Sequence, residues 1–310
     1  MIALTGAALA ALAALAFSAA PSSADAPVKM LLDTDIGDDV DDAYALALAA
    51  VSPRVQLLGV TTARGATDQR AQIAAKLLHA AGRPEVPVMA GIPSDKGCGP
   101  QRAWADDYRS RSIRSGDAIE FLWRAIRRSP GEVTLVAIGP LTNLGALFQR
   151  HPEAARLLRR LVIMGGAAYV GYNSQPPPVP EWNIVCDPAA ARIVFASGAR
   201  VEMAGLDVTA MLKYDKTYRQ KTCAIGTPLT DALAALTQLW GNPDPTLFDP
   251  MAVAWAMGAR FCEAEERRIE VGDDGMTRIV EGAPNALVLV RPRAREFLDW
   301  YLASLSAAGK

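Results

Sequence analysis

Histidine and cysteine are scarce in this chain: there are two of the first and four of the second in 310 residues. His79 falls in a helical stretch and His151 precedes Pro152; neither follows the end of a strand, so neither is placed to act as an acid catalyst. Cys98, Cys186, Cys223 and Cys262 are widely spaced with no Cys-x-x-Cys pair, which argues against a zinc site. In an exported chain they allow one or two disulfides, with the pairing left open. An excess of one charge is also missing. With 32 basic and 33 acidic residues the net charge is −1, so there is no electrostatic footprint for nucleic acid or an anionic membrane, and a small-molecule partner fits better. Past the first residues no apolar run is long enough to cross a bilayer, and there is no repeat and no interdomain linker. With 51% hydrophobic and 21% charged residues the chain can bury a large core, and one α/β domain is the expectation.

The amino terminus, MIALTGAALAALAALAFSAAPSSADA, is Ala/Leu-rich, has no charged side chain before Asp25 and ends in small residues. It reads as a signal peptide over residues 1–26, cleaved near 20 or 26, which sends residues 27–310 to the periplasm or outside the cell. No cysteine follows the apolar stretch, which argues against a lipoprotein.

What the chain does have is an extraordinary density of acid in one place. The apolar run Val28 to Leu32 opens onto six aspartates, Asp33, Asp35, Asp38, Asp39, Asp41 and Asp42, within ten residues. Carboxylates a few ångströms apart raise each other's pKa unless a cation neutralises them. Helix capping would use one or two of the six. Oxygen ligands with no His or Cys nearby point to Ca²⁺ or Mg²⁺. An EF-hand does not fit: counting from Asp33, Asp38 stands where the loop needs Gly and Tyr44 where it needs Glu. Gly37 permits a sharp turn, and AYALALAA is a good helix former, so the stretch reads as strand, acidic loop, helix.

Further on, strands are predicted at Val55 to Thr62, Val86 to Ala90, Val133 to Ile138, Leu161 to Met164 and Val201 to Ala204. Helices are predicted at Asp68 to Ala80, Ile119 to Arg128, Leu144 to Phe148, Pro188 to Ala196 and Ala294 to Ser304. Gly91 to Arg114 reads as a long loop able to cover a site, and Arg267 to Val280 as a hairpin. Apolar strands alternating with helices imply a mainly parallel, Rossmann-like open sheet with helices on both faces and ligands at the carboxyl ends of the strands. The residues just past those ends are Asp33 to Asp42, Thr61 to Ala66, Ile138 to Asn143, Gly165-Gly166 and Asp207.

Six segments in order, DTDIGDDVDDA, GVTTARGA, VAIGPLTN, IMGG, EWNIVCDPAAA and Phe248-Asp249-Pro250 before MAVAWA, resemble the nucleoside hydrolase family, which cleaves the N-glycosidic bond of ribonucleosides. The resemblance runs from Val28 to about Ser304. It implies one Ca²⁺ held by Asp35, Asp42, Asp249 and the carbonyl of Ile138, with room for a water and two ribose hydroxyls. Asp35 would be the general base toward that water. Asp41 and Asn183 would bind ribose hydroxyls and Glu181 the 5′ hydroxyl, with Met164 and Trp182 completing the substrate contacts. It further implies a homodimer or homotetramer.

The departures lie around the leaving group. The family usually has Asn after the glycine of the second motif, where this chain has Ala66, and its inosine-uridine type has His where this chain has Phe248. Phe248 gives no proton, so the expectation is a purine preference, with the base protonated at N7 and stacked on Trp182, Tyr169, Tyr172 or Trp104. Two readings compete. An aspartyl phosphatase would use Asp33 as nucleophile but needs Thr where Gly37 stands and a supporting Lys. A periplasmic nucleoside- or ribose-binding protein would keep the metal site without turnover.

Overall fold

A computed structural model describes residues 26–242 and 244–308. The expected signal segment, residues 1–26, lies outside the described residues except for Ala26. The strands are β1 (Val28–Thr34), β2 (Val55–Thr62), β3 (Val88–Ala90), β4 (Ile113–Arg114), β5 (Val133–Ala137), β6 (Arg160–Met164), β7 (Val201–Ala204), β8 (Glu263–Val271), β9 (Thr277–Val280) and β10 (Ala286–Val290). They form one sheet in the order β4-β3-β2-β1-β5-β6-β7-β10-β8-β9. β1 to β7 and β10 run parallel, and the β8–β9 hairpin closes one edge antiparallel.

The helices are α1 (Asp41–Val51), α2 (Thr67–Ala80), α3 (Ala118–Arg128), α4 (Thr142–Arg150), α5 (Ala154–Leu157), α6 (Trp182–Cys186), α7 (Pro188–Ala196), α8 (Leu206–Thr209), α9 (Lys216–Cys223), α10 (Pro228–Trp240), α11 (Phe248–Ala256) and α12 (Ala294–Ala308). Alternation along the central strands sorts them onto two faces. Met30, Leu32, Val136 and Val162 pack under α1, α2, α10, α11 and α12, whereas Leu31, Leu135, Leu161 and Ile163 pack under α3, α4 and α7. α1 is buried from Asp41 to Ala50, which explains why it is apolar all round rather than on one stripe.

The mainly parallel sheet and its helical layers agree with the reading of the sequence. Three features differ. Gly91 to Arg114 is more than loop: it holds a 3₁₀ turn at Pro100–Trp104 and the edge strand β4. The stretch after Ala204 contributes α8, α9 and α10, and β10 inserts between β7 and the hairpin.

The chain runs from β1 outward through β2, β3 and β4, then returns to pair β5 on the other side of β1. This reversal opens a crevice at the carboxyl ends of β1 and β5, where parallel sheets place ligands. The acidic loop leaves β1 at that point, and two buried side chains fix its course. Asp33, still within β1, is fully buried; Thr61 on β2 and Asn143 on α4, at 2.7 Å, both donate to its Oδ1. Asn143 also donates to the Thr62 carbonyl at 3.1 Å and accepts the Ile92 amide at 2.9 Å, so it braces the scaffold.

Arg70, on α2, is the second brace and is wholly buried. Its guanidinium donates to the carbonyls of Asp35, of Ile36 at 2.9 Å and of Arg64 at 2.7 Å, and to the Asp38 carboxylate at 2.8 Å. Asp38 in turn accepts Arg64 at 2.5 Å and the Gly99 amide at 2.9 Å, so the 91–114 segment holds the acidic loop from outside. Only the planar fork of Arg reaches all four acceptors. Replacing Arg70 by Met removes the buried donor from the three carbonyls and leaves Asp38 with Arg64 as its remaining guanidinium partner, which is expected to destabilise the fold by about 3 kcal/mol, with R70K recovering part of the loss. A urea midpoint for R70M equal to that of the unmodified protein would contradict the brace.

Candidate active site

A cavity of about 470 Å³ occupies the crevice. Its floor is the acidic loop with the start of α1, contributing Asp35, Asp38, Asp39, Asp41 and Asp42. Ile138 and Met164 come from the ends of β5 and β6, and Asp249 from the first turn of α11. Glu181, Trp182 and Asn183 enter from the loop that follows β6. All nine residues assigned from the sequence, from Asp35 to Asp249, thus line one cavity, although they span more than 200 positions.

The loop residues arrive by helix capping. Glu181 is the N-cap of α6 and accepts the amides of Asn183 at 3.0 Å, Ile184 at 3.3 Å and Gly166 at 2.9 Å. Burial pushes its pKa up to about 7, against those three donors. The Asn183 amide group donates to the Ile138 carbonyl at 3.0 Å and the Met164 carbonyl at 3.1 Å, joining the ends of β5 and β6. Asp207 sits outside the cavity: its carboxylate accepts the amides of Ala168, Tyr169 and Val170 at 2.7–3.1 Å and shapes the same loop from behind.

Asp41, Asp42 and Asp249 each offer a carboxylate oxygen within 4.8 Å of the others, and each residue is 3% exposed. Burial first, and then repulsion from neighbouring acids, pushes all three pKa values well above the ordinary carboxylate range. Asp35 lies in the same field; burial raises it to about 6, with Arg70 opposing. Asp42 accepts the Thr34 hydroxyl, and Asp41 accepts the Asp249 amide at 3.1 Å, which orients both toward the cavity. The donors are all oxygen and the crowded charge is all of one sign, so the set fits a hard divalent cation. The resemblance assigns Asp35 to such an ion and Asp41 to the sugar; the tightest cluster contains Asp41, with Asp35 beside it.

The remaining wall is aromatic. Tyr172, Trp182, Trp240 and Phe248 line the mouth, and the Tyr172 and Phe248 rings meet edge to face at 6.1 Å between centroids. Trp182 is 52% exposed, with the Arg64 guanidinium 4.8 Å from its ring centre. Two of the stacking candidates lie elsewhere. Tyr169 points outward, donating to Glu265 at 3.1 Å and accepting from Arg267 at 2.9 Å, and Trp104 packs under Lys76. Trp240 was not legible beforehand, because its place depends on how α10 returns to the crevice. His79 bonds Tyr108 at 2.9 Å and His151 bonds Glu120 at 2.7 Å, both away from the cavity.

The family described as "Inosine-uridine preferring nucleoside hydrolase" matches residues 30–299. A pyrimidine-specific ribonucleoside hydrolase RihA of Salmonella schwarzengrund is 32% identical over 304 residues, covering 87% of this chain and 96% of its own. Two solved structures superpose with 25% identity over 91% of this chain and 99% of theirs: the plant nucleoside hydrolase PpNRh1 at a TM-score of 0.80 and a purine-preferring ribonucleoside hydrolase of Gardnerella vaginalis at 0.79. Neither competing reading is favoured by these relatives. The match over nearly the whole described chain, on a sheet that opens at the acidic loop, means that the protein belongs to the inosine-uridine preferring nucleoside hydrolase family, enzymes that hydrolyse N-glycosyl bonds of ribonucleosides.

Proposed function

We propose that the protein hydrolyses purine ribonucleosides to ribose and free base with one calcium ion in the acidic cavity. The observation that carries this reading is the meeting of Asp35, Asp42, Asp249 and Ile138 in one cavity with Asn183 and Glu181 buried in its wall. Asp35, Asp42, Asp249 and the Ile138 carbonyl would hold the calcium, which when bound would neutralise the acids and make water at the site easier to deprotonate. Asp35 accepts the proton of the attacking water. Asp41 and Asn183 hold ribose hydroxyls, Glu181 takes the 5′ hydroxyl, and Met164 packs against the sugar. The surrounding carboxylates favour the positive charge that develops on the sugar as the bond to the base breaks.

The purine preference rests on the aromatic wall. Phe248 offers no proton to the base, so a leaving group that accepts a proton from solvent and stacks well is favoured, and Trp182 is the foremost stacking residue. RihA of Salmonella carries the name of a pyrimidine-specific enzyme and the Gardnerella protein that of a purine-preferring one, so both outcomes occur among relatives. Export after removal of the first 20 or 26 residues is supported by the composition of that segment, and a homodimer or homotetramer by the family resemblance; the amino-terminal sequence and the mass of the secreted protein test both.

Ribose release from inosine, adenosine, uridine and cytidine tests the reaction and its selectivity together. The purine nucleosides are expected to turn over faster, chelator to abolish all activity, and D35N to lose at least about a hundredfold in rate while remaining folded. Uridine hydrolysed faster than inosine would overturn the purine assignment, and full turnover by D35N would move the base elsewhere.

Calcium should also reverse a pH effect. Carboxyls raised from an ordinary value of 3.8, such as Asp35 at about 6, bind more protons folded than unfolded, so they stabilise the fold in acid and that contribution is lost as pH rises. In chelator, urea stability is therefore expected to fall between about pH 4 and 7, and saturating calcium to flatten the fall. A profile unchanged by calcium would contradict the ion site.

A further inference from the structure

The opposite edge of the sheet carries a second charged cavity, of about 520 Å³, at the amino ends of β1, β2, β5 and β6 and beneath the last turn of α11. Four arginines surround it: Arg54 before β2, Arg159 and Arg160 at the start of β6, and Arg260 after α11. Among the described residues one acid is paired with these arginines. Glu202, on β7, is already engaged, accepting Arg160 at 2.7 and 2.6 Å and the Trp255 indole N–H. Arg160 and Arg260 donate to the carbonyls of Trp255, and Arg160 also to that of Ala256, which cover the negative end of the α11 dipole. Arg260 lies over the Trp255 ring, 4.0 Å from its centre.

Arg54 and Arg159 make no side-chain hydrogen bond or ion pair among the described residues, and both are exposed on the rim. Burial and the nearby charges of Arg160 and Arg54 work against the charged form of Arg260. Positive charge is thus crowded here as negative charge is crowded at the other edge. In the wall, Thr134 of β5 is fully buried and its hydroxyl has no hydrogen-bond partner. A donor without an acceptor, facing a cavity ringed by guanidinium groups, is what a bound oxyanion would satisfy.

We propose that this cavity binds a phosphate group, free or as a small monoester, with the Arg54 and Arg159 guanidinium groups closing on its charge and the Thr134 hydroxyl donating to one oxygen. The ligand differs from the neutral nucleoside of the acidic cavity, and the site is built from residues with no part in that chemistry.

Calorimetric titration of the full-length protein with inorganic phosphate and, separately, glycerol 3-phosphate tests it. Saturable one-to-one binding is expected, weakened at least about tenfold in R54Q/R159Q, whose side chains brace nothing, while nucleoside hydrolysis by that variant stays at its basal rate. T134V should weaken binding without loss of fold. Tighter binding of the free ion or of the ester identifies the source. D249N, at the far end of α11, should bind phosphate as well as the unmodified protein. The proposal is overturned if neither compound binds, if R54Q/R159Q binds unchanged, or if D249N abolishes binding.

Discussion

Repulsion among carboxylates confined to the crevice between β1 and β5 is the constraint on which the rest of the structure depends. Two unit charges 4 Å apart interact by about 4 kcal/mol at an effective dielectric of 20, and Asp41, Asp42 and Asp249 offer three such pairs within 4.8 Å. That sum is comparable to the whole stability of a folded domain, about 5–15 kcal/mol, so the cluster holds protons or a cation. The scaffold around it is correspondingly braced. Arg70 fastens the loop backbone, Thr34 and the Asp249 amide orient individual carboxylates, and the 91–114 segment closes over Asp38. Each of these contacts spends a buried or half-buried hydrogen bond on keeping like charges where they would not stay unaided.

The parallel architecture was legible because the strands that form it are short, apolar and separated by helices. β2, α7 and β7 fall on the predicted bounds, and β1 needs only Asp33 and Thr34 added. Asp33 and Thr34 are polar and belong to the strand because Thr61 and Asn143, from distant segments, donate to one carboxylate oxygen of the first, whose other oxygen has no partner among the described residues, and the second donates to Asp42, eight residues on. The region after Ala204 was hardest to read. Its helices α8 and α9 are short, and β10 takes its place by pairing β7 and β8, a pairing that local pattern does not encode.

The candidate site was legible to the extent that its chemistry is concentrated. Six acids after an apolar strand announce a cation site by density alone, and the later Asp249, Asn183 and Glu181 are brought to it by the resemblance rather than by any local signal. The supporting residues were not legible. Arg70 is one of many arginines in the sequence and becomes singular only when its four acceptors surround it. Trp240 closes α10 before a glycine, an ordinary helix ending until the fold turns it to the cavity. Tyr169 and Trp104 show the converse: aromatic residues in suitable loops whose side chains are claimed by Glu265, Arg267 and Lys76.

The central claim is that the raised carboxyls and the cation site are one set of groups. Calcium titration by calorimetry near pH 6, repeated in two buffers of different ionisation enthalpy, reads both properties at once, because an ion that binds deprotonated oxygens must displace the protons held there. The account expects one calcium per chain with protons released on binding, fewer as pH rises, and loss of both signals in D42N and D249N. Calcium binding that releases no protons, or that persists in those variants, would contradict it.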